Sequence, residues 1–318
     1  MKYEFTPSKY FFTFGPNPPV LEISSGDTVV TTTVDARGFD SFGTLVPEEK
    51  TQRSKNTIFR NRNPLVGPFF IRGADIGDTL AVSIERIVLN RETAWSRVQP
   101  NFGSFTEEEL GKKLLLNEPL EERYFQWTLD LKNNIGIIEL PRSRKKKLEI
   151  PLHPFIGSIG VAPRFGRIET SLTPGEYGGN MDSPETKEGT TMYFPVFVKG
   201  AYLSFGDVHA AQGDGEICGV ALETSAEVTL RINVVKGKII DWPRLEDKEY
   251  IMVAGNSKPL MEAFKIAHVE LIDWLVSEYG FEKWEALQIL SQVGTCRVGN
   301  VVDPKYNVVA KFPKKYLP

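Results

Sequence analysis

The chain has 318 residues, 41% of them hydrophobic, and a formal charge of −3. That length supports a substantial core of one or two domains, and so slight a charge gives no sign of a nucleic-acid binder. Two cysteines, Cys218 and Cys296, exclude a disulfide framework and suit a reducing compartment. Met1 to Tyr10 is polar and aromatic rather than a basic start followed by an apolar run, so no cleavable leader is expected. No apolar stretch approaches the ~20 residues of a membrane helix, and the expected setting is soluble and cytoplasmic.

The first part of the chain reads as strands and turns. Tyr10 to Phe14 runs into a Gly-Pro-rich connector at 15–19, and Val20 to Ile23 precedes the turn signal Ser25-Gly26-Asp27. Thr28 to Val34 is strongly β-type. It ends at Asp35-Ala36-Arg37-Gly38, which puts Asp35 where a strand enters a loop, a common address for site residues. A turn-forming aspartate is the plainer reading. Residues 41–66 are weakly patterned, and Arg53, Lys55, Arg60 and Arg62 make a basic loop. It is read as solvated, with a lid or subunit contact as the alternative. Gly67 to Ile71 and Thr79 to Leu89 are expected strands around a turn at 73–78.

From 90 to 123 the pattern is ambiguous, although Thr106 followed by Glu107, Glu108 and Glu109 resembles a helix start. Tyr124 to Leu131 and Ile135 to Leu140 alternate as strands do, and Arg142 to Lys147 is a charge run read as a solvated edge or loop. His153 lies between Pro151 and Pro154, where regular structure should not run unbroken. It is a packing histidine unless the fold brings it to His209. Gly178-Gly179-Asn180-Met181-Asp182 joins a freely turning backbone to Asn180 and Asp182, two apart and able to share a face. Val228 to Val235 and Lys238 to Ile240 suggest a hairpin. Leu260, Phe264, Ala267, Leu271 and Leu275 then recur at helical spacing, Glu282 to Val293 is a second, shorter helix, and Val298 to Phe312 returns to strand alternation. His268 sits on the first helix and is read as structural or exposed. The expected fold is mainly β (α+β), packed sheets in sandwich-like layers with two helices near the C-terminus. Residues 1–318 form one unit, or two intimately packed β-rich lobes.

Gly206 to Glu223, GDVHAAQGDGEICGVALE, concentrates the chemistry. Asp207, His209, Asp214, Glu216 and Glu223 are interleaved with four glycines, between two β-type runs. Residues two apart on a strand face the same way, so Asp207 and His209 suit two ligands of one ion. With only three histidines in the chain, any metal site must lean on carboxylates. A solvated turn of mixed charge is the bland alternative.

Three chemistries compete. In metal-assisted hydrolysis a divalent ion lowers the pKa of its water to about 7 and polarises a carbonyl. Asp207 and His209, joined by His153 and Asp35, could supply mixed oxygen and nitrogen ligands, with Glu216 or Asp214 as general base. Zinc is the first choice, with manganese and calcium as alternatives. The second is a Cys218 nucleophile beside Glu216, against which stands the apolar, strand-like run Ile217 to Leu222, where cysteine is commonly buried. The third is a non-catalytic β protein binding a sugar or an ion. No Gly-x-Ser-x-Gly elbow, phosphate loop or dinucleotide fingerprint is present.

Gly206-Asp207-Val208-His209-Ala210 with Gln212-Gly213-Asp214-Gly215-Glu216 and Cys218 resembles the acetamidase/formamidase family. Gly67-Pro68-Phe69-Phe70, His153-Pro154-Phe155-Ile156-Gly157, Gly178-Gly179-Asn180-Met181-Asp182 and Val301-Val302-Asp303-Pro304 support it in order over nearly the whole chain. The resemblance implies a β-rich fold of packed sheets, hydrolysis of the C–N bond of short linear amides with release of ammonia, a metal-containing site, and a homo-oligomer, a dimer being the first choice. It carries metal-ligand roles to Asp35, His153, Asp207 and His209, and substrate-side roles to Gly179, Asn180 and Asp182. Glu216 is expected to move the proton. Glu223 is a second catalytic candidate or orients a ligand. The basic segments 50–62 and 142–147 have no counterpart in the resemblance and could reshape the pocket mouth.

Overall fold

The computed structural model describes residues 1–51, 62–99, 102–104 and 121–318. The expected helix start at Thr106 and the basic residues Arg53, Lys55 and Arg60 lie outside these. Among the described residues the architecture is mainly β, as the sequence pattern predicts, with two α-helices near the C-terminus.

The largest sheet has nine strands. Lys2–Phe5, Thr28–Thr32, Ala226–Val235, Thr79–Leu89 and Thr191–Pro195 come first, followed by Arg244–Glu246, Tyr250–Ser257, Tyr306–Pro313 and Thr295–Val298. A five-stranded sheet runs Gly178–Asn180, Phe155–Gly160, Leu203–His209, Leu65–Arg72 and Leu21–Ser24. These two sheets share one core, in which Val82, Leu230 and Ile232 of the first meet Phe69, Ile156 and Phe205 of the second. A four-stranded antiparallel sheet, Lys147–Pro151, Ile135–Glu139, Arg123–Asp130 and Thr93–Val98, stands alongside. The charge run 142–147 is the exposed turn of its first hairpin.

Alternation along Tyr250–Ser257 shows how a strand serves two cores. Ile251 and Val253 pack beneath the helices, whereas Met252 and Ala254 belong to the main core, as side chains of period two require. Helix α1 (Leu260–Tyr279) lays Ala263, Ala267, Leu271 and Leu275 on that strand face, the stripe that spacings of three and four predict. It ends at Gly280, whose φ of 71° supplies the left-handed cap. Helix α2 (Lys283–Val293) is capped by the Glu282 side chain, which accepts from Trp284 and Glu285 N–H. His268 is half-buried on α1 with Nδ1 on the Phe264 carbonyl oxygen, a structural placement.

Two expected elements are not formed. Lys238 to Ile240 is not a strand, and Ile217 to Leu222 is a turn rather than an apolar strand, leaving Cys218 exposed. The interleaved glycines decide this, since Gly215 and Gly219 take φ of 82° and 76°. No helix among the described residues is long and apolar enough to cross a membrane.

Candidate active site

The five-stranded sheet brings distant segments to one end. Ser158 is in register with Asn180 on one side and Gly206 on the other, and Gly206 with Leu65. Asp207 and His209 therefore arrive beside Asn180, Asp182 and Asn63. Glu223 comes from outside the sheet. Its backbone bridges His209 on one side and Trp95 on the other, exchanging two N–H···O bonds with Trp95 of 3.1 and 2.9 Å. Gly215 bridges Asn300, and this draws Glu216 toward Asp303.

Asn63, Asp182, Asp207 and Glu216 all have left-handed backbones, with φ of 53°, 44°, 57° and 48°. Side chains other than glycine rarely adopt this region, and it costs energy when they do. Asp207 is held there within the strand Leu203–His209, and Asp182 by its backbone N–H on the Gly157 carbonyl (3.1 Å), just past Gly178–Asn180.

His209 is fully enclosed. Its Nδ1 lies 2.9 Å from Gln212 Oε1, and Gln212 Nε2 donates to the carbonyls of Asp182 (2.7 Å) and Gly299 (3.0 Å). Nε2 faces Glu223 Oε1 at 3.5 Å, Asp207 Oδ2 at 3.6 Å and Asp182 Oδ1 at 4.0 Å. These separations are too long for good hydrogen bonds.

A buried amide network holds the acids. Asn63 Nδ2 donates to Asp207 Oδ2 (2.7 Å) and to Asn180 Oδ1 (3.0 Å). Ser158 Oγ also donates to Asn180 Oδ1, and Asn180 Nδ2 donates to Asp182 Oδ2 (2.7 Å) and Asp303 Oδ2 (2.8 Å). Asn300 supports the turn from below, its Nδ2 donating to the Asn180 and Met181 carbonyls.

So many acids out of water resist ionising together. Burial, with Asp182 as the nearest negative charge, pushes the Glu216 carboxyl well above its ordinary range. Burial raises Glu223 and Asp303 in the same way. Asp182 is raised by burial to about 6, although His209 works against the rise. For His209, burial opposes the charged ring, but Glu223, Asp207 and Asp182 outweigh it and lift the imidazole well above its usual value.

The expected site residues are thus partly gathered. Asp182, Asp207 and His209 have donor atoms within 4.8 Å of one another, as do His209, Glu216 and Glu223. Asp35 and His153 are not in these groups. Asp35 Oδ1 accepts from the Arg37 and Phe39 N–H, both at 3.0 Å. Its Oδ2 accepts from Arg91 (2.8 Å) and Trp95 Nε1 (3.0 Å), so four donors occupy it. His153 is exposed and lines an outer cleft together with Cys218, because the strand register puts Phe155 opposite His209. The Phe155 ring meets the imidazole edge-on at 5.0 Å. Gly179 is packed against the Thr173 carbonyl with φ of 94° and does not line the cavity. Asp214 is turned outward onto Arg297 at 2.6 Å. Asn63, Ser158, Gln212 and Asp303 were not anticipated as site residues, although Gln212 and Asp303 fall within the blocks that carry the resemblance.

The cluster opens into a cavity of about 340 Å³, walled by Trp95, Arg97, Phe102 and Leu172. Its donor chemistry fits a cation. Among the described residues Asp182 Oδ1, Asp207 Oδ1 and Glu223 Oε2 are buried without a hydrogen-bond partner, and buried carboxylate oxygens are costly unless something positive meets them. A methyl group on Gly157 would lie 2.7 Å from Asp182 Oδ1 and 2.9 Å from His209 Cε1, so that glycine keeps the space between them clear.

Comparison with known proteins agrees with this geometry. The Acetamidase/Formamidase family profile matches residues 167–315. The fold is similar to that of an acetamidase from Yersinia enterocolitica at 37% identity and a TM-score of 0.84, over 100% of this chain and 93% of that one. It is also similar to an acetamidase from Bacillus halodurans at 30% identity and a TM-score of 0.80, over 99% and 98% of the two chains. A Schizosaccharomyces pombe protein with a provisional formamidase name is 26% identical over 71% of this chain, and the match spans only 64% of that protein's length. Similarity that runs the full chain and includes the buried His–carboxylate block places this protein in the acetamidase/formamidase family.

Proposed function

We propose that the protein hydrolyses the C–N bond of a small linear amide, yielding a carboxylate and ammonia, at a divalent cation held by His209, Asp207, Asp182 and Glu223. The observation that carries this reading is that Asp182, Asp207 and Glu223 each bring a carboxylate within 4.0 Å of His209 Nε2 and each keep one buried oxygen with no hydrogen-bond partner among the described residues. Family membership and the names of the similar proteins support the reaction class.

Gln212 fixes the imidazole. Both of its amide hydrogens are committed to carbonyls, so its Oε1 accepts from His209 Nδ1–H, and Nε2 is the nitrogen that an ion would reach once its proton is displaced. Asn63 orients Asp207 through Oδ2, and Oδ1 has no partner among the described residues. Asn180 does the same for Asp182. When bound, the ion would supply an acidified water and polarise the amide carbonyl. Glu216, whose carboxyl burial pushes well above its ordinary range, is the group placed to give a proton to the departing nitrogen. Trp95 and Phe102 keep bulk water from the inner end. With His153 outside the set the donors are one nitrogen and several oxygens, which moves the preference from zinc toward a harder ion such as manganese or calcium. Both cysteines are free and exposed, which fits the cytoplasm as the proposed compartment.

The test is ammonia release from formamide, acetamide and propionamide, before and after chelation, with single metals added back. Loss on chelation and recovery with one ion is the expected result, and His209→Ala should lose metal and activity together. Activity that survives prolonged chelation and is blocked by a thiol reagent would move the reaction to Cys218. No ammonia from any amide with metal present would overturn the amidase reading.

A further inference from the structure

The cavity that the acids line also carries three guanidinium groups, those of Arg37, Arg62 and Arg97. Arg97 is only 5% exposed, yet its Nε has no hydrogen-bond partner among the described residues. Its NH1 touches the Tyr124 hydroxyl at 3.0 Å and the half-exposed Glu122 at 3.4 Å. Among the described residues the Arg62 guanidinium bonds only the neutral Gln99, at 3.1 Å, and Arg37 makes no ion pair. Neighbouring Arg91 shows what a structural arginine looks like in this region, since it is spent on Asp35 and on the Asp40 carbonyl.

Aromatic rings hold two of these guanidiniums, those of Arg37 and Arg97. Arg37 lies over Trp95 at 5.5 Å and Tyr124 at 5.3 Å, and Arg97 over the same two rings at 5.9 and 5.7 Å. Stacking fixes a guanidinium through its face and leaves its edge N–H groups free to bind. Neutralising the inner acids does not account for the three arginines, because none forms an ion pair with Asp182, Asp207, Glu216, Glu223 or Asp303. A cavity of about 340 Å³ also has room for more than a one- or two-carbon amide.

We propose that this arginine wall binds a carboxylate on the substrate, so that the preferred class is the monoamide of a short dicarboxylic acid. The amide enters toward His209, and the free carboxylate pairs with Arg97 and Arg37 at the mouth. The reaction stays an ordinary hydrolysis. One water forms the new C–O bond as the C–N bond breaks, Glu216 protonates the leaving nitrogen and is reprotonated from that water, and with both protons of the water taken up by the nitrogen the products are a dicarboxylate and ammonium. This rests on the amidase reading above and adds the substrate's charge to it.

The experiment compares kcat/KM of the metal-loaded protein for succinamate and for succinamide, which has the same shape but no charge, with acetamide as reference. Succinamate should be favoured at least about tenfold, the size expected for a charge-assisted hydrogen bond. Added salt should shrink the preference, and succinate should inhibit competitively. Arg97→Gln and the exposed Arg37→Gln should each lower the succinamate-to-succinamide ratio, and Arg37→Gln should weaken succinate binding measured by calorimetry. Because Arg37 is at the surface, its variant tests the proposal even if Arg97→Gln fails to fold. Acetamide hydrolysis with equal use of succinamate and succinamide would overturn the anion proposal and leave the amidase reading standing. Ammonia from none of the three amides would overturn both.

Discussion

His209 Nδ1 lies 2.9 Å from Gln212 Oε1, and that contact decides which ring nitrogen is available to a ligand. Gln212→Leu leaves Nδ1–H without its acceptor and frees the ring to turn. The expected result is a loss of about 10- to 100-fold in metal affinity or activity, read by equilibrium dialysis and by kcat/KM at saturating metal. Gln212→Glu still accepts from Nδ1–H and should lose less. Unchanged metal affinity in Gln212→Leu would remove Gln212 from the orienting role.

Gly157→Ala should act inside the cluster. The added methyl would meet Asp182 Oδ1 at 2.7 Å and the Asp207 carbonyl at 2.8 Å. Overpacking of this kind costs about 1–3 kcal/mol, so the protein should still fold with a lowered Tm. Its metal content per chain should fall much further than its stability does. Full metal loading in the folded variant would show that the space Gly157 leaves is not used.

Cation affinity should rise with pH. Buried Asp182 titrates at about 6, and Glu216, Glu223 and His209 are raised as well. Their protons compete with the ion, and ligation must release them. Affinity should therefore be low below pH 6 and go on rising above it, as the protons of the other raised groups are lost. Titration calorimetry in buffers of different ionisation enthalpy should detect net proton release, and its absence would contradict the ligand set.

Asp78 predicts an acid-dependent stability away from the site. It is buried, and burial alone would raise its carboxyl. The bonds from Lys236 Nζ (2.6 Å), Gly237 N–H (2.8 Å) and Asp75 N–H (2.8 Å) outweigh this and leave it below the ordinary range. A depressed folded value stabilises the fold above the unfolded pKa of about 3.9, and the benefit disappears as pH falls through the folded value. Asp78→Asn should lower Tm by several degrees at pH 7, with the gap closing toward pH 3. A gap that stays constant with pH would mean the charge contributes nothing.

Cys218→Ala should retain activity within about twofold, as an exposed side chain outside the inner cluster implies. An inactive but folded and metal-loaded variant would favour the cysteine mechanism instead.

Much of this was legible because local rules carried it. The strand Thr79–Leu89 and both helices follow from periodicity and punctuation. Asp207, His209, Glu216 and Glu223 stood out because one short stretch holds them all. What failed to show depends on long-range pairing. No local pattern reveals that strand register puts Phe155, rather than His153, against His209, or that Arg91 and Trp95, dozens of positions away, claim Asp35. Asn63 was hidden in a polar loop, and only the fold shows it bonded to Asp207, 144 positions later. Cys218 was misplaced because an apolar hexapeptide reads as a strand unless its glycine is given the weight of a turn.

The four left-handed residues around the cavity have a consequence for how the site ages and varies. Asp207 and His209 lie inside a paired strand and Asp182 follows another, so pairing outside the cavity aims two of the acids and the imidazole before anything binds. The same arrangement makes the chemistry hostage to remote scaffolding. Modest loosening of a distant strand should let these backbones relax toward ordinary geometry. Activity would then decay while spectroscopic signs of folding remain intact, and it would give the earlier warning of damage.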